Sequence, residues 1–275
     1  ILLNSGKVVT FGKNNFGQLG VTTGDSSVAV NVENGSGYNG TNAISVSCGY
    51  NHTAILLNTG KVVTVGSNSH GQLGTTIDTS ANQLQTVVNS SSYDGTNAVS
   101  ISCGQYHTAI LLNTGKVVTF GSSGNGQLGN NDWGAGATYN STPQAVVIRS
   151  DKSDYDQTNA VAISCGAQHT AVLLNTGKVV TFGKNNYGQL GTSIPGSENV
   201  EQFPRNVNTG AGYDGTNAIS VSCGYNHTAI LLNTGKVVTF GYNEDGQLGN
   251  GYLSSTNANP VVLQTVTSSA GYDGT

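Results

Sequence analysis

An all-β fold made of a repeating unit, either a propeller or a β-solenoid, is predicted by three observations. Four copies of Ser-Cys-Gly-x-x-His-Thr-Ala begin at Ser47, Ser102, Ser164 and Ser222. Five copies of Gly-Gln-Leu-Gly begin at Gly17, Gly71, Gly126, Gly188 and Gly246, at spacings of 54, 55, 62 and 58 residues. Between them, apolar runs of strand length alternate with glycine turns, without the pattern of a helical repeat.

Taken in order, Ile1 to Asn4 reads as the end of a strand, and Lys7 to Gly12 as its hairpin partner across Ser5-Gly6, where glycine accepts the positive φ of a tight turn. The loop Lys13 to Gly20 leads to a short strand near Val28 to Val32. In Ala43 to Cys48, Ile44, Val46 and Cys48 alternate with Ser45 and Ser47, the two-residue period of a strand. His52 to Asn58 and Lys61 to Gly66 form the next hairpin, and their doublets Leu56-Leu57 and Val62-Val63 suit strands covered on both faces. A fourth, less regular strand is expected at Leu84 to Val88, Ala145 to Ile148, Asn206 to Asn208 and Pro260 to Val266. Pro143, Pro204 and Pro260 near those starts suit an outer edge, where a missing N–H is tolerated.

Four strands per period make the unit a propeller blade, with about twenty strands in five blades. Each period carries Tyr-Asp/Asn-x-Thr, at Tyr38, Tyr93, Tyr155, Tyr213 and Tyr272. The expected domain is one propeller over residues 1–275, incomplete at both ends, because both ends fall inside a repeat. Five full periods need the 13 residues equivalent to Asn217 through Ala229, so the chain is expected to be part of a longer polypeptide.

Charged residues make up 9% of the chain and the net charge is −4, against a usual charged fraction of about 25%. Ten thinly spread Lys and Arg residues argue against a nucleic-acid footprint, which needs clustered cations. No apolar run is long enough to span a membrane as a helix. Cys48, Cys103, Cys165 and Cys223 hold one repeat position, so they are expected to lie too far apart for disulfides and to act as small buried hydrophobes. The expected absence of disulfides leans towards a reducing, intracellular compartment, with a secreted or cell-surface protein as the alternative.

His52, His107, His169 and His227 each open a hairpin strand, and no carboxylate recurs at a fixed offset beside them. General acid–base work needs such a partner, so these histidines are expected to be structural and the chain a non-enzyme. No close-spaced ligand pairs suggest a metal, and no cofactor is expected. Gly-Gln-Leu-Gly lacks the helix and lysine of a phosphate loop. Asp94-Gly95, Asp214-Gly215 and Asp273-Gly274 read as self-stabilised turns rather than calcium ligands. Trp133, Tyr139, Arg149 and Lys152, in and beside the most variable connector, are the candidate binding residues, since aromatic and arginine side chains anchor interfaces.

Cys-Gly-x-x-His-Thr-Ala, then Gly-Lys-Val-Val-Thr-Phe-Gly, then Asn-x-x-Gly-Gln-Leu-Gly, in fixed order over essentially the whole chain, resembles the regulator-of-chromosome-condensation repeat family. The resemblance implies a seven-bladed propeller. Family members often have tryptophan before the motif glycine, where this chain has Phe11, Val65, Phe120, Phe182 and Phe240. The leading functional expectation is a scaffold that binds a protein partner, or copies of itself, through variable loops. The resemblance also implies, as an alternative, guanine-nucleotide exchange on a small GTPase with chromatin binding, although this acidic chain has no basic arm. A secreted adhesive or carbohydrate-binding module is the third reading, favoured by the Asn/Ser/Thr/Gly-rich surface and by sequons such as Asn34, Asn89 and Asn140.

Overall fold

A computed structural model describes residues 1–132, 139–194, 199–253, 262–267 and 272. Among these residues there are eighteen strands and no helix. The first sheet pairs β1 (Val9–Gly12) with β2 (Ser26–Asn31), and a bridge between Leu2 and Val8 extends it. The second runs β3 (Ala43–Cys48), β4 (His52–Leu57), β5 (Val62–Gly66) and β6 (Ala81–Thr86) in that order. The third holds β7 (Ala98–Cys103), β8 (His107–Leu112), β9 (Val117–Ser122) and β10 (Tyr139–Ala145). The fourth holds β11 (Ala160–Cys165), β12 (His169–Leu174), β13 (Val179–Lys184) and β14 (Val200–Asn206). The last holds β15 (Ala218–Cys223), β16 (His227–Leu232), β17 (Val237–Gly241) and β18 (Gln264–Thr265). All neighbours are antiparallel, so each sheet is a propeller blade. Two compact units contain them, sheets one to three in the first and sheets four and five in the second.

Alternation within the buried hairpins explains the stacking inside each unit. All six residues of β4 are buried. Ala54 and Leu56 join a cluster with Tyr93, Ile101, Ile110 and Phe120, whereas Ile55 and Leu57 join Val8, Val32, Tyr38 and Val65. Successive side chains of a strand leave opposite faces, so one apolar doublet serves two neighbouring blades. In the second unit Ala171, Leu173, Ile230, Leu232 and Phe240 form the corresponding cluster.

The turn motifs connect blades through hydrogen bonds. Tyr38, Tyr93, Tyr213 and Tyr272 each use the hydroxyl to accept a backbone N–H, from Val8, Val62, Val179 and Val237, at 2.8–2.9 Å. The Asx residue that follows accepts the amide of the motif threonine, as Asp94 does from Thr96 at 2.7 Å and Asp214 from Thr216 at 2.7 Å. The carboxylate therefore closes its own turn. Asp273-Gly274 lies outside the described residues.

Three of the fourth strands lie earlier in sequence than the apolar pattern indicated, while β18 falls within the expected Pro260 to Val266. The three are Ala81–Thr86, Tyr139–Ala145 and Val200–Asn206, so Pro143 and Pro204 sit within strands rather than before them. Each falls where the register against the third strand shifts, between Asn140 and Gln144 and between Glu201 and Arg205. A bulge leaves a residue unpaired, which suits a residue without an N–H. Pro260 lies outside the described residues. Ile44 also departs from simple alternation: the register of β3 shifts between Ala43 and Ser45, and Ile44 is left exposed. Val99, Val161 and Ile219 repeat that arrangement.

Candidate functional site

Each repeat histidine opens its hairpin strand, and His52 and His169 are each held by a threonine of the neighbouring sheet. In the first unit His52 Nε2 lies 2.9 Å from Thr108 Oγ1, whose own hydroxyl donates to the Gln72 carbonyl at 3.0 Å. In the second unit His169 Nε2 lies 3.0 Å from Thr228 Oγ1, which donates to the Gln189 carbonyl at 2.8 Å. A hydroxyl has one proton to give, so Nε2 carries the imidazole proton and Nδ1 is bare. The Nδ1 atoms of His52 and His169 are buried without a hydrogen-bond partner. Burial pushes the pKa of His52 down to about 4 and that of His169 to about 3, with the His227 ring a further cause for His169. Burial lowers the His227 pKa as well, and His107 is buried at the start of β8.

The glycine of Cys-Gly-x-x-His follows from this packing. A Cβ on Gly49 would stand 2.1 Å from His52 Cε1, and one on Gly166 would stand 2.1 Å from His169 Cε1. The Gly-Gln-Leu-Gly glutamine supplies the carbonyl that orders the threonine, while its side chain accepts a local amide, as Gln72 Oε1 does from His70 at 2.8 Å. Cys103 and Cys165 are buried, Cys223 half-buried and Cys48 exposed, all as free thiols. Burial raises the Cys103 pKa to about 12 and that of Cys223 to about 11, which withholds the thiolate needed for nucleophilic chemistry.

Of the candidate binding residues, Trp133 lies outside the described residues. Tyr139 opens β10 in the first unit and is 41% exposed. Arg149 and Lys152 come together in the second unit over the ring of Phe203, each 4.9 Å from its centroid. Beneath them Glu201 is buried and gripped by Lys152 Nζ at 2.8 Å and by Arg205 at 2.7 Å. Arg149 forms a two-pronged bond to Asp151, Nε to Oδ1 at 2.9 Å and a terminal nitrogen to Oδ2 at 2.8 Å. That contact holds the exposed Asp151 carboxyl down at about 2. Lys178 pairs with Asp154 at 2.9 Å nearby in sequence, and this pairing lowers the Asp154 pKa. The chain's only two arginines thus share one carboxylate cluster. Sequence reasoning missed Glu201, Phe203 and Arg205. Their signal was Glu-Gln-Phe-Pro-Arg, an opposite-charge pair around a proline in a chain that has few charges.

Among the described residues no three His, Cys, Asp or Glu side chains gather as a metal site, and no helix is long and apolar enough to cross a membrane.

The family model described as the RCC1-like domain matches residues 1–272. A probable E3 ubiquitin-protein ligase HERC4 of Mus musculus is 33% identical over 213 residues, 77% of this chain and 18% of that protein. A protein RCC2 homolog of Danio rerio is 30% identical over 257 residues, 88% of this chain and 50% of that protein. The chain therefore spans between about a fifth and a half of these relatives' lengths. Human WBSCR16 shares the fold with a TM-score of 0.77 at 22% identity, over 94% of this chain and 61% of that one. Prp20p of Saccharomyces cerevisiae does so with a TM-score of 0.75 at 18% identity, over 97% and 60%. The repeat motifs, the four-stranded blades and the match over nearly every residue agree, and the chain belongs to the RCC1-like domain family.

Proposed function

We propose that this chain is a non-catalytic propeller scaffold that binds a protein partner, with Arg149 and Lys152 over Phe203 as the anchor. The observation that carries the reading is the gathering of both arginines on one patch of a charge-poor chain. Arginine stacked on an aromatic ring is an arrangement enriched at binding hot spots. The repeat hairpins are too alike to distinguish partners, whereas connectors on a rigid framework can do so. Support against catalysis comes from His52 and His169, which are neutral, buried and tied to threonine, and from the Cys103 and Cys223 thiols, held protonated.

The test compares capture from source-cell extract by the wild-type chain and by Arg149→Ala. Arg149 pairs with an exposed residue, so its removal leaves the core intact. The expected result is a bound protein whose affinity falls at least about tenfold in the variant. Equal capture, with the fold retained by circular dichroism, overturns the anchor. Nucleotide exchange is the second reading. It draws on the likeness to Prp20p, whose structure title names binding to Gsp1p and histones. A nucleotide-release assay with a small GTPase separates the two, since the scaffold reading expects no acceleration.

A further inference from the structure

The loop that joins β1 to β2 leaves a cleft of about 380 Å³ against the start of β6, lined by Asn14, Asn15, Phe16, Thr23, Ser80 and Asn82 among others. Small-molecule sites occupy about 300–1,000 Å³, so the cleft has room for a small ligand. Both of its walls belong to the first unit.

The chain itself holds those walls in place. Asn14 Oδ1 accepts the Leu19 amide at 2.9 Å, and Asn14 Nδ2 donates to the carbonyls of Val21 at 3.2 Å and Thr23 at 2.5 Å. The Phe16 amide donates to Gln18 Oε1 at 3.0 Å, and Glu33 accepts both the amide and the hydroxyl of Thr22 at 3.0 Å. Gly17, with φ of 81°, lies flat on β6, where a Cβ would stand 2.3 Å from Asn82 Cα. A site ordered before its ligand arrives loses little entropy on binding.

What the walls present is neutral. Among the described residues that line the cleft, none is charged. The side chains of Asn15, Thr23, Ser80 and Asn82 make no hydrogen bond among the described residues, which leaves two amides and two hydroxyls to donate and accept. Beside them the Phe16 ring is 42% exposed. Corresponding rings in other repeats are covered: His70 stacks on Tyr106 at 4.7 Å between centroids, and Tyr187 meets Tyr242 edge-on at 4.9 Å. At the positions of Tyr106 and Tyr242 the second blade has Asn51 and Ser67, which carry no ring to cover Phe16.

We propose that this cleft binds a neutral carbohydrate, with the apolar C–H face of one sugar ring on Phe16 and its hydroxyls bonded by Asn15, Thr23, Ser80 and Asn82. Sugar hydroxyls both donate and accept, as do these side chains, and a ring beside a few polar groups suits a ligand with one apolar and one polar face. A phosphate, sulfate or carboxylate would find no cation on the walls, and an ammonium no carboxylate. None of these residues belongs to the cluster around Arg149, so either site stands without the other.

The probe is an array of immobilised neutral oligosaccharides of glucose, galactose, mannose and their N-acetylated hexosamines, printed beside sialylated and sulfated ones. It is read with the labelled wild-type chain, Phe16→Ala, Phe16→Tyr and Asn82→Ala. Phe16 and Asn82 are exposed, so these variants keep the fold, which circular dichroism checks. The expected result is saturable binding to at least one neutral glycan, weakened about tenfold by either alanine and retained by Phe16→Tyr. No saturable binding to any neutral glycan overturns the proposal. So does binding confined to the charged glycans, or neutral binding that both alanine variants leave unchanged.

Discussion

His52 and His169 have pKa values of about 4 and 3 in the folded chain, against 6.5 for a free imidazole, so the folded state refuses protons that the unfolded state takes up. The unfolded chain therefore binds more protons as pH falls below 6.5, and stability is lost in that direction. The contribution is complete above about pH 6.5 and drains until the folded values are reached. Between pH 7.5 and 5.0 the loss is about 2 kcal/mol for each of the two rings. Urea unfolding at both pH values measures it, and His52→Gln, which keeps a donor for Thr108 without titrating, should flatten part of the slope. At this scale the repeat located the histidines, which were expected to open hairpin strands and stand at the starts of β4, β8, β12 and β16. The sequence was a poorer guide to Glu201, whose one local sign is the charge pair with Arg205, because its other partner, Lys152, is 49 residues away.

At the level of the strand, the hairpins β4–β5, β8–β9, β12–β13 and β16–β17 could be read directly, since six-residue apolar runs between glycine turns have few alternatives. The fourth strands β10 and β14 could not, because their pairing depends on bulges at Pro143 and Pro204 rather than on alternation. Hairpin and blade meet at the motif tyrosines. Tyr93 is fully buried, and its hydroxyl is the acceptor for the Val62 amide at 2.9 Å. Tyr93→Phe would strand that amide and is expected to cost about 1–3 kcal/mol. Leu56→Ala, in the doublet that serves two neighbours, is expected to cost about 2–5 kcal/mol through the cavity it leaves. Denaturant midpoints with unchanged slopes would confirm both, and a near-zero cost at Tyr93 would remove the tyrosine as a tie between blades.

For the molecule as a whole, repetition builds a uniform framework, and the proposed scaffold role puts recognition at the departures from uniformity. The cluster of Arg149, Lys152, Glu201, Phe203 and Arg205 is such a departure, since no other repeat of the chain contains an arginine. Hydrogen exchange of the chain with and without its captured protein partner tests this placement most directly. The expected result is new protection at residues 149–154 and 200–206 and none in the four strands that open on histidine. Protection confined to those histidine-opened strands, with residues 149–154 and 200–206 unchanged, would contradict it.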